Sequence, residues 1–169
     1  MKKGTWYLIV LLTGALLLVS ISVVSAEPAS SGPIDCLLDI TYDDHDENGE
    51  PYWLGTVEGP DCSVAGTIEF YAVREEYFTA GKTMHFVETF VIRPVDGGEL
   101  YGKNYGVWNM KSFKFRANGW VLDATQEWEH MIGYKYHESG TTTDPADAPP
   151  IDAPGGWAKL VPANRQNAP

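Results

Sequence analysis

The dipeptide Asn118-Gly119 is the sequence feature that most constrains the fold of this chain. It lies between two runs of alternating apolar and polar residues within 107–136. A type I′ turn requires positive φ at both central residues, and Asn and Gly tolerate it, so Asn-Gly between such runs favours a β-hairpin. We therefore predict two long antiparallel strands that meet at this turn.

A two-residue turn fixes which side chains of the hairpin share a face. Close to the turn, the predicted inner face is apolar. Further from the turn it carries mostly polar side chains, namely Asn109, Lys111, Gln126, Trp128 and His130. A three-residue turn would reverse the parity of one strand and change this assignment.

Short strands separated by turn residues account for the rest of the central region. They are predicted at 36–42, 52–59, 63–73, 83–93 and, briefly, around 99–101. This pattern contains no long helix and indicates an all-β fold. Glycines that allow long strands to bend favour a single antiparallel β-barrel of about eight strands, with an irregular acidic loop and a Pro-rich C-terminal tail.

The two ends of the chain differ in composition from this barrel region, which we place at 36–137. Residues 1–26 have a basic start, an apolar run and small residues at the end, as in a secretory signal peptide; an uncleaved membrane anchor is the alternative. We expect 27–35 to be a flexible leader. Residues 138–169 are rich in Pro, Ala and Gly and are expected to be mostly irregular, with a candidate edge strand at 156–161.

Charge and cysteine content narrow the compartment and the partners. The chain has 23 acidic residues against 12 lysines and arginines, a net charge of −11 that makes nucleic acid and anionic membranes poor partners. We expect a secreted protein with no membrane contact after signal cleavage. Cys36 and Cys62 are the only cysteines, and outside the cytosol such a pair is predicted to form a disulfide; two free thiols are the alternative.

One carboxylate falls on the predicted inner face of strand 83–93, where Glu88 alternates with large apolar residues. Buried charges require partners, so Glu88 is expected to pair with Lys111 or His130. Polar groups within an apolar wall are typical of a ligand pocket. Glu88 and His130 are also the candidate catalytic acid and base. A hydrogen-bonded core network or a solvated barrel mouth is the simpler interpretation.

The acidic loop contains half of a calcium-binding motif. Asp44, Asp46, Asn48 and Glu50 alternate, and Gly49 follows as in a calcium loop, but the twelfth position is Gly55 rather than Glu. Calcium binding and a solvated hairpin loop are both open interpretations. The histidines are not spaced for a simple zinc site.

The strand rhythm of residues 66–133 resembles the allene oxide cyclase and dirigent-like barrels, which are relatives in shape of the lipocalins. The resemblance lies in the segments GTIEFYAV, HFVETFVI, DGGELYG and FKFRANGWVLDA. It implies an eight-stranded antiparallel barrel with an apolar cavity and a few polar groups inside. No diagnostic motif matches, so no catalytic residue is transferred.

The sequence favours a secreted barrel that binds a small apolar molecule, with no cofactor required. Its predicted ligand contacts are Glu88, Asn109, Lys111, Gln126, Trp128 and His130. One alternative is a calcium-dependent carbohydrate-binding module with a glycan as its partner. The other is an isomerase or cyclase that acts inside the barrel cavity.

Overall fold

The computed structural model describes residues 32–45, 51–143 and 152–163. Within these residues it contains nine β-strands and two short 3₁₀ helices, Arg74–Glu76 and Gln126–Met131. The strands are β1 (Ile34–His45), β2 (Pro51–Glu58), β3 (Gly66–Ala72), β4 (Phe78–Ala80), β5 (Thr83–Pro94), β6 (Leu100–Asn109), β7 (Lys114–Ala124), β8 (Lys135–Thr141) and β9 (Ala153–Val161).

Eight of these strands close into an antiparallel barrel. The order around the sheet is β3-β2-β1-β9-β8-β7-β6-β5, and the pairing of β3 with β5 closes it. The three-residue strand β4 adds to one end of β5. The predicted all-β barrel of about eight strands is therefore confirmed. No helix among the described residues is long and apolar enough to cross a bilayer.

The parity predicted for β5 is also confirmed. Phe86, Glu88, Phe90 and Ile92 are buried, and of the intervening residues Thr89 is exposed and Val91 half-buried, although Val87 is also buried. On the neighbouring strand β6, the inward positions 102 and 106 are glycines. A Cβ at either glycine would overlap the ring of Phe90 or Phe86, so these aromatic rings cover the glycine backbone.

The predicted hairpin turn at Asn118-Gly119 is wrong. Both residues lie in the middle of β7, where Asn118 pairs with Tyr105 on one side and His137 on the other. The turn is instead at 110–113 and ends at Phe113, which has a φ of 57°. The Asn109 side-chain oxygen accepts hydrogen bonds from the backbone N–H groups of residues 111 and 112, at 3.0 and 2.9 Å.

Gly119 allows β7 to approach β6 closely and does not form a turn. A Cβ at this position would overlap the carbonyl oxygen of Lys103 and the backbone and side chain of Asn104. A glycine inside a strand often marks such a close approach. The tertiary environment of the barrel therefore determines the role of this dipeptide, and local turn preference does not.

The second predicted hairpin strand is interrupted. β7 ends at Ala124, and residues Gln126–Met131 form a 3₁₀ helix that buries Met131 against the core. The chain re-enters the sheet only at Lys135, the first residue of β8. The alternation assumed for 125–134 is therefore absent.

The barrel extends beyond the predicted boundary at 137. β9 lies between β1 and β8 and pairs with both, so it is an interior strand and not an edge strand. At the other end, β1 already begins at Ile34, within the predicted leader. The predicted signal peptide and the rest of the leader up to residue 31, like 144–151 and 164–169 of the predicted tail, lie outside the described residues.

The predicted disulfide between Cys36 and Cys62 is confirmed, with a Cα–Cα distance of 4.8 Å. It joins the start of β1 to the loop between β2 and β3. We call this end of the barrel, which also carries the 3₁₀ helix Gln126–Met131, the lower end. The opposite end carries the turn at 110–113, and we call it the upper end.

Buried apolar side chains fill the lower part of the barrel. They include Leu38, Val57, Ile68, Ile92, Leu100, Val121, Met131 and Leu160, each at most 1 % exposed. Such packing leaves no room for a ligand there. The upper part is not filled in the same way, and it contains the cavity described next.

Candidate functional site

A cavity of about 240 Å³ lies in the upper part of the barrel. Strands β1, β2, β3, β5, β6, β7, β8 and β9 all contribute to its wall through inward-facing residues near their upper ends. The lining consists of Ile40, Trp53, Phe70, Tyr77, Met84, Phe86, Glu88, Trp108, Phe115, Glu138, Thr142 and Ala153. The wall is thus largely aromatic and aliphatic, with two carboxylates.

The indole N–H of one cavity-lining tryptophan has its hydrogen-bond acceptor within the protein. The indole Nε1 of Trp108 donates a hydrogen bond of 3.0 Å to Thr142 Oγ1, which in turn donates to the carbonyl oxygen of Phe113. Trp108 also lines the cavity. This part of the cavity therefore presents apolar surface to an occupant.

The two carboxylates belong to one buried polar network. Glu138 Oε1 accepts a hydrogen bond of 3.0 Å from Asn104 Nδ2, and Glu138 Oε2 accepts one of 2.6 Å from the Tyr136 hydroxyl. Glu88 Oε1 accepts a longer hydrogen bond of 3.4 Å from the Tyr77 hydroxyl. Glu88, Asn104 and Glu138 are 9 %, 0 % and 3 % exposed.

Strand register explains how these groups meet. Glu88 on β5 is paired with Asn104 on β6, Asn104 with Gly119 on β7, and Gly119 with Tyr136 on β8. Because Gly119 has no side chain, the space above β7 is free for the Asn104 amide. Asn104 therefore reaches a carboxylate two strands away.

Burial makes both carboxylates weak acids. Desolvation, together with the nearby charge of Glu138, raises the pKa of Glu88 from 4.5 to about 8, against the opposing effect of its hydrogen bonds. Desolvation also raises the pKa of Glu138, although the hydrogen bond from Tyr136 opposes this shift. The Tyr136 pKa is raised well above 10 by burial and by the two glutamates, so its hydroxyl stays a donor.

Of the six residues predicted to contact the ligand, only Glu88 lines the cavity. Asn109, Lys111, Gln126 and His130 are all exposed, since the turn and the 3₁₀ helix carry them outside the barrel. Their predicted inward orientation is wrong, because it depended on a reversal at Asn118-Gly119. The predicted pairing of Glu88 with Lys111 or His130 fails for the same reason.

Trp128 is part of the lower end rather than of the cavity. Its Nε1 donates a hydrogen bond of 2.9 Å to the carbonyl oxygen of Gly97, and its ring packs against the core. A Cβ at Gly98 would overlap the Trp128 ring. The residue therefore fastens the 3₁₀ helix to the β5–β6 connection.

The sequence reasoning missed four residues of the network, namely Tyr77, Asn104, Tyr136 and Glu138. A signal for two of them was present, because Tyr136, Glu138 and Gly140 alternate in the run KYHESG as the inward positions of a strand do. The barrel boundary at 137 excluded Glu138. Asn104 carried no comparable signal, since its neighbours are glycines and polar residues.

The predicted calcium site lies outside the described residues, which include neither 46–50 nor the side chain of Asp44. Elsewhere in the described part of the chain, no group of three or more His, Cys, Asp or Glu side chains is arranged to hold a metal ion.

Comparisons with protein-family models, with curated proteins and with solved structures found no match.

Proposed function

We propose that this chain is an exported β-barrel that binds one small, largely apolar molecule in its upper cavity. The observation that carries this proposal is an aromatic and aliphatic cavity with only a few polar groups, in a barrel whose lower half is solidly packed. Binding sites for small molecules have this composition. The mouths of β-barrels are a common place for them.

The size of the cavity limits the ligand. An apolar cavity of about 150 Å³ accepts benzene, whereas drug-sized ligands occupy pockets of roughly 300–1,000 Å³. The cavity here, at about 240 Å³, lies between these values. A molecule with one ring and a short substituent is the appropriate size.

Two further observations support export. The disulfide is of a kind that persists in oxidising compartments, and residues 1–26 have the composition of a signal peptide.

The eight-stranded antiparallel architecture with an apolar cavity is also what a relationship to the allene oxide cyclase and dirigent-like barrels would require. That relationship remains part of the proposal.

Native mass spectrometry of the purified, signal-processed protein tests the binding function. We expect a non-covalent adduct of low mass that solvent extraction removes. Thermal unfolding of the extracted protein with a panel of single-ring compounds complements this test, because a ligand that binds only the native state stabilises it. The proposal fails if no adduct is present and no compound raises the melting temperature.

A second candidate function is an isomerase or cyclase inside the cavity. The paired carboxylates favour it, because their raised pKa values lie near neutrality, where a general acid or base is most effective. Glu138 takes the place of the predicted partner His130. Glu88→Gln would then retain binding of the adduct compound but abolish its conversion, and unchanged turnover in this variant would exclude the catalytic role.

Calcium-dependent carbohydrate binding remains a prediction from the sequence of the acidic loop. None of the described contacts favours it over ligand binding in the cavity.

A further inference from the structure

The polar network beside the cavity contains more hydrogen-bond acceptors than donors. Its acceptors are the oxygens of Glu88 and Glu138 and the amide oxygen of Asn104, and its protein donors are the hydroxyls of Tyr77 and Tyr136 and the amide Nδ2 of Asn104. The described residues provide no partner for Asn104 Oδ1, although Asn104 is fully buried. A buried acceptor without a donor is costly, so once the two carboxyl groups are ionised the network requires donors from a bound molecule.

The described part of the network carries no positive charge. Among the described residues that line the cavity there is no lysine, arginine or histidine. Two buried carboxylates next to each other are strongly unfavourable unless a proton or a cation neutralises them. In the empty cavity, protons serve this purpose, because both carboxyl groups have raised pKa values.

The rest of the wall suits a cation as well as a hydrocarbon. Six of the residues that line the cavity with the two carboxylates are aromatic, namely Trp53, Phe70, Tyr77, Phe86, Trp108 and Phe115. Aromatic faces attract cations, with the strongest effect at desolvated sites. Carboxylates combined with aromatic walls are therefore complementary to an organic cation with an apolar body.

We propose that the ligand is a small amine in its protonated form, whose ammonium group binds at Glu88 and Glu138 and whose apolar body fills the aromatic part of the cavity. The inference rests on the proposed binding function and specifies its ligand class. The ammonium group supplies both the missing N–H donors and the missing positive charge. An anionic ligand of the same size is disfavoured, because it adds negative charge beside two buried acidic groups and supplies no donor.

Binding of an ammonium ion must be linked to proton release. The cation favours the ionised carboxylates, so protons held by Glu88 and Glu138 pass to the solvent as the amine binds. The other groups that face the two glutamates are Tyr77, Tyr136 and Asn104. None of them titrates in place of the glutamates near neutral pH, because tyrosine loses its proton only in alkaline solution and the amide does not ionise.

Calorimetric titration with 2-phenylethylamine and with propylbenzene tests the proposal, because the two molecules have the same shape and differ in charge. We expect the amine to bind at least tenfold more tightly than the hydrocarbon at pH 8. Its affinity should fall between pH 8 and pH 6, while that of propylbenzene should not. Titration of the amine in two buffers of different ionisation enthalpy should reveal the released protons.

Two variants, each lacking one carboxylate, test whether Glu88 and Glu138 cause the preference for the amine. Glu88→Gln and Glu138→Gln should each lower the preference for the amine over propylbenzene by at least tenfold while retaining propylbenzene binding. Glu129→Gln is the matched control, because Glu129 is exposed on the 3₁₀ helix at the lower end, and it should leave the preference unchanged.

The outcomes separate the two proposals. If propylbenzene binds as tightly as the amine at every pH, the cationic ligand class is wrong and the apolar binding function stands. If neither compound binds or competes with the adduct compound, and the extracted protein accepts no single-ring molecule, both proposals fail. A preference for the amine that survives in both Gln variants would also overturn the assignment to these glutamates.

Discussion

Asn104 on β6 donates a hydrogen bond of 3.0 Å to Glu138 on β8, across the intervening strand β7. The contact is possible because the β7 residue paired with Asn104 is Gly119, which leaves the space above the strand empty. The same glycine is half of the dipeptide that locally resembles a hairpin turn. A single position thus explains both the polar network and the failure of the turn prediction.

Substitutions at 118 and 119 distinguish a strand from a turn. Gly119→Ala should lower the free energy of unfolding by ~1–3 kcal/mol, because the new methyl group overlaps Lys103 and Asn104. Asn118→Val should change it by less than about 1 kcal/mol, because this exposed strand position accepts a β-branched residue. Urea denaturation measures both. A large loss for Asn118→Val would indicate positive φ at this residue and contradict the strand assignment.

The fold was predictable from the sequence where periodicity alone decides the structure. The alternation of Met84, Phe86, Glu88, Phe90 and Ile92 correctly identified the inner face of β5, and the disulfide followed from the number of cysteines. Such patterns follow from local chain geometry and from the distribution of apolar residues and cysteines, both of which are visible in the sequence.

The site was only partly predictable because its members come from distant parts of the chain. Glu88 was identified, but its neighbours Asn104 and Glu138 are set by barrel register, which depends on the closure of β3 on β5. Glu138 was also excluded by the early end assigned to the barrel. The low apolar content after 140 obscured β9, although the inward residues Ala153, Ala158 and Leu160 of that strand are buried.

Removal of the disulfide should destabilise the lower end of the barrel. Replacement of both Cys36 and Cys62 by Ala should lower the free energy of unfolding by ~3 kcal/mol, because the bond restricts the unfolded chain across a separation of 26 residues. Urea denaturation of the variant, and of the wild type with and without reductant, measures this. A variant as stable as the oxidised wild type would show that core packing alone holds β1 against the β2–β3 loop.

A larger side chain at Ala153 should close the cavity without disturbing the fold. Ala153 is buried and lines the cavity opposite Ile40 on β1, so Ala153→Leu directs new atoms into empty space. We expect loss of the low-mass adduct with stability unchanged or raised by up to about 1 kcal/mol. Val57→Phe on β2 is the control, because Val57 lies in the filled lower core and the larger side chain should destabilise the barrel by ~1–3 kcal/mol. Retention of the adduct by Ala153→Leu would place the ligand elsewhere.

The stability of the ligand-free barrel should fall as the pH rises from about 5 to about 8. Glu88 and Glu138 have raised pKa values in the folded state, about 8 and about 7 against 4.5, so the folded protein holds protons that the unfolded chain has released. Their stabilising contribution is complete below pH 4.5 and is lost as the pH passes through the raised values. His137, whose pKa is lowered mainly by burial, contributes with the opposite sign, so the diagnostic quantity is the difference in stability between wild type and Glu88→Gln.

Urea denaturation of both proteins at intervals from pH 5 to 9 measures this difference. The urea midpoint of the wild type should approach that of Glu88→Gln at low pH and fall below it at high pH. Parallel curves for the two proteins would mean that Glu88 is ionised throughout, and the paired-carboxylate description of the cavity would be wrong.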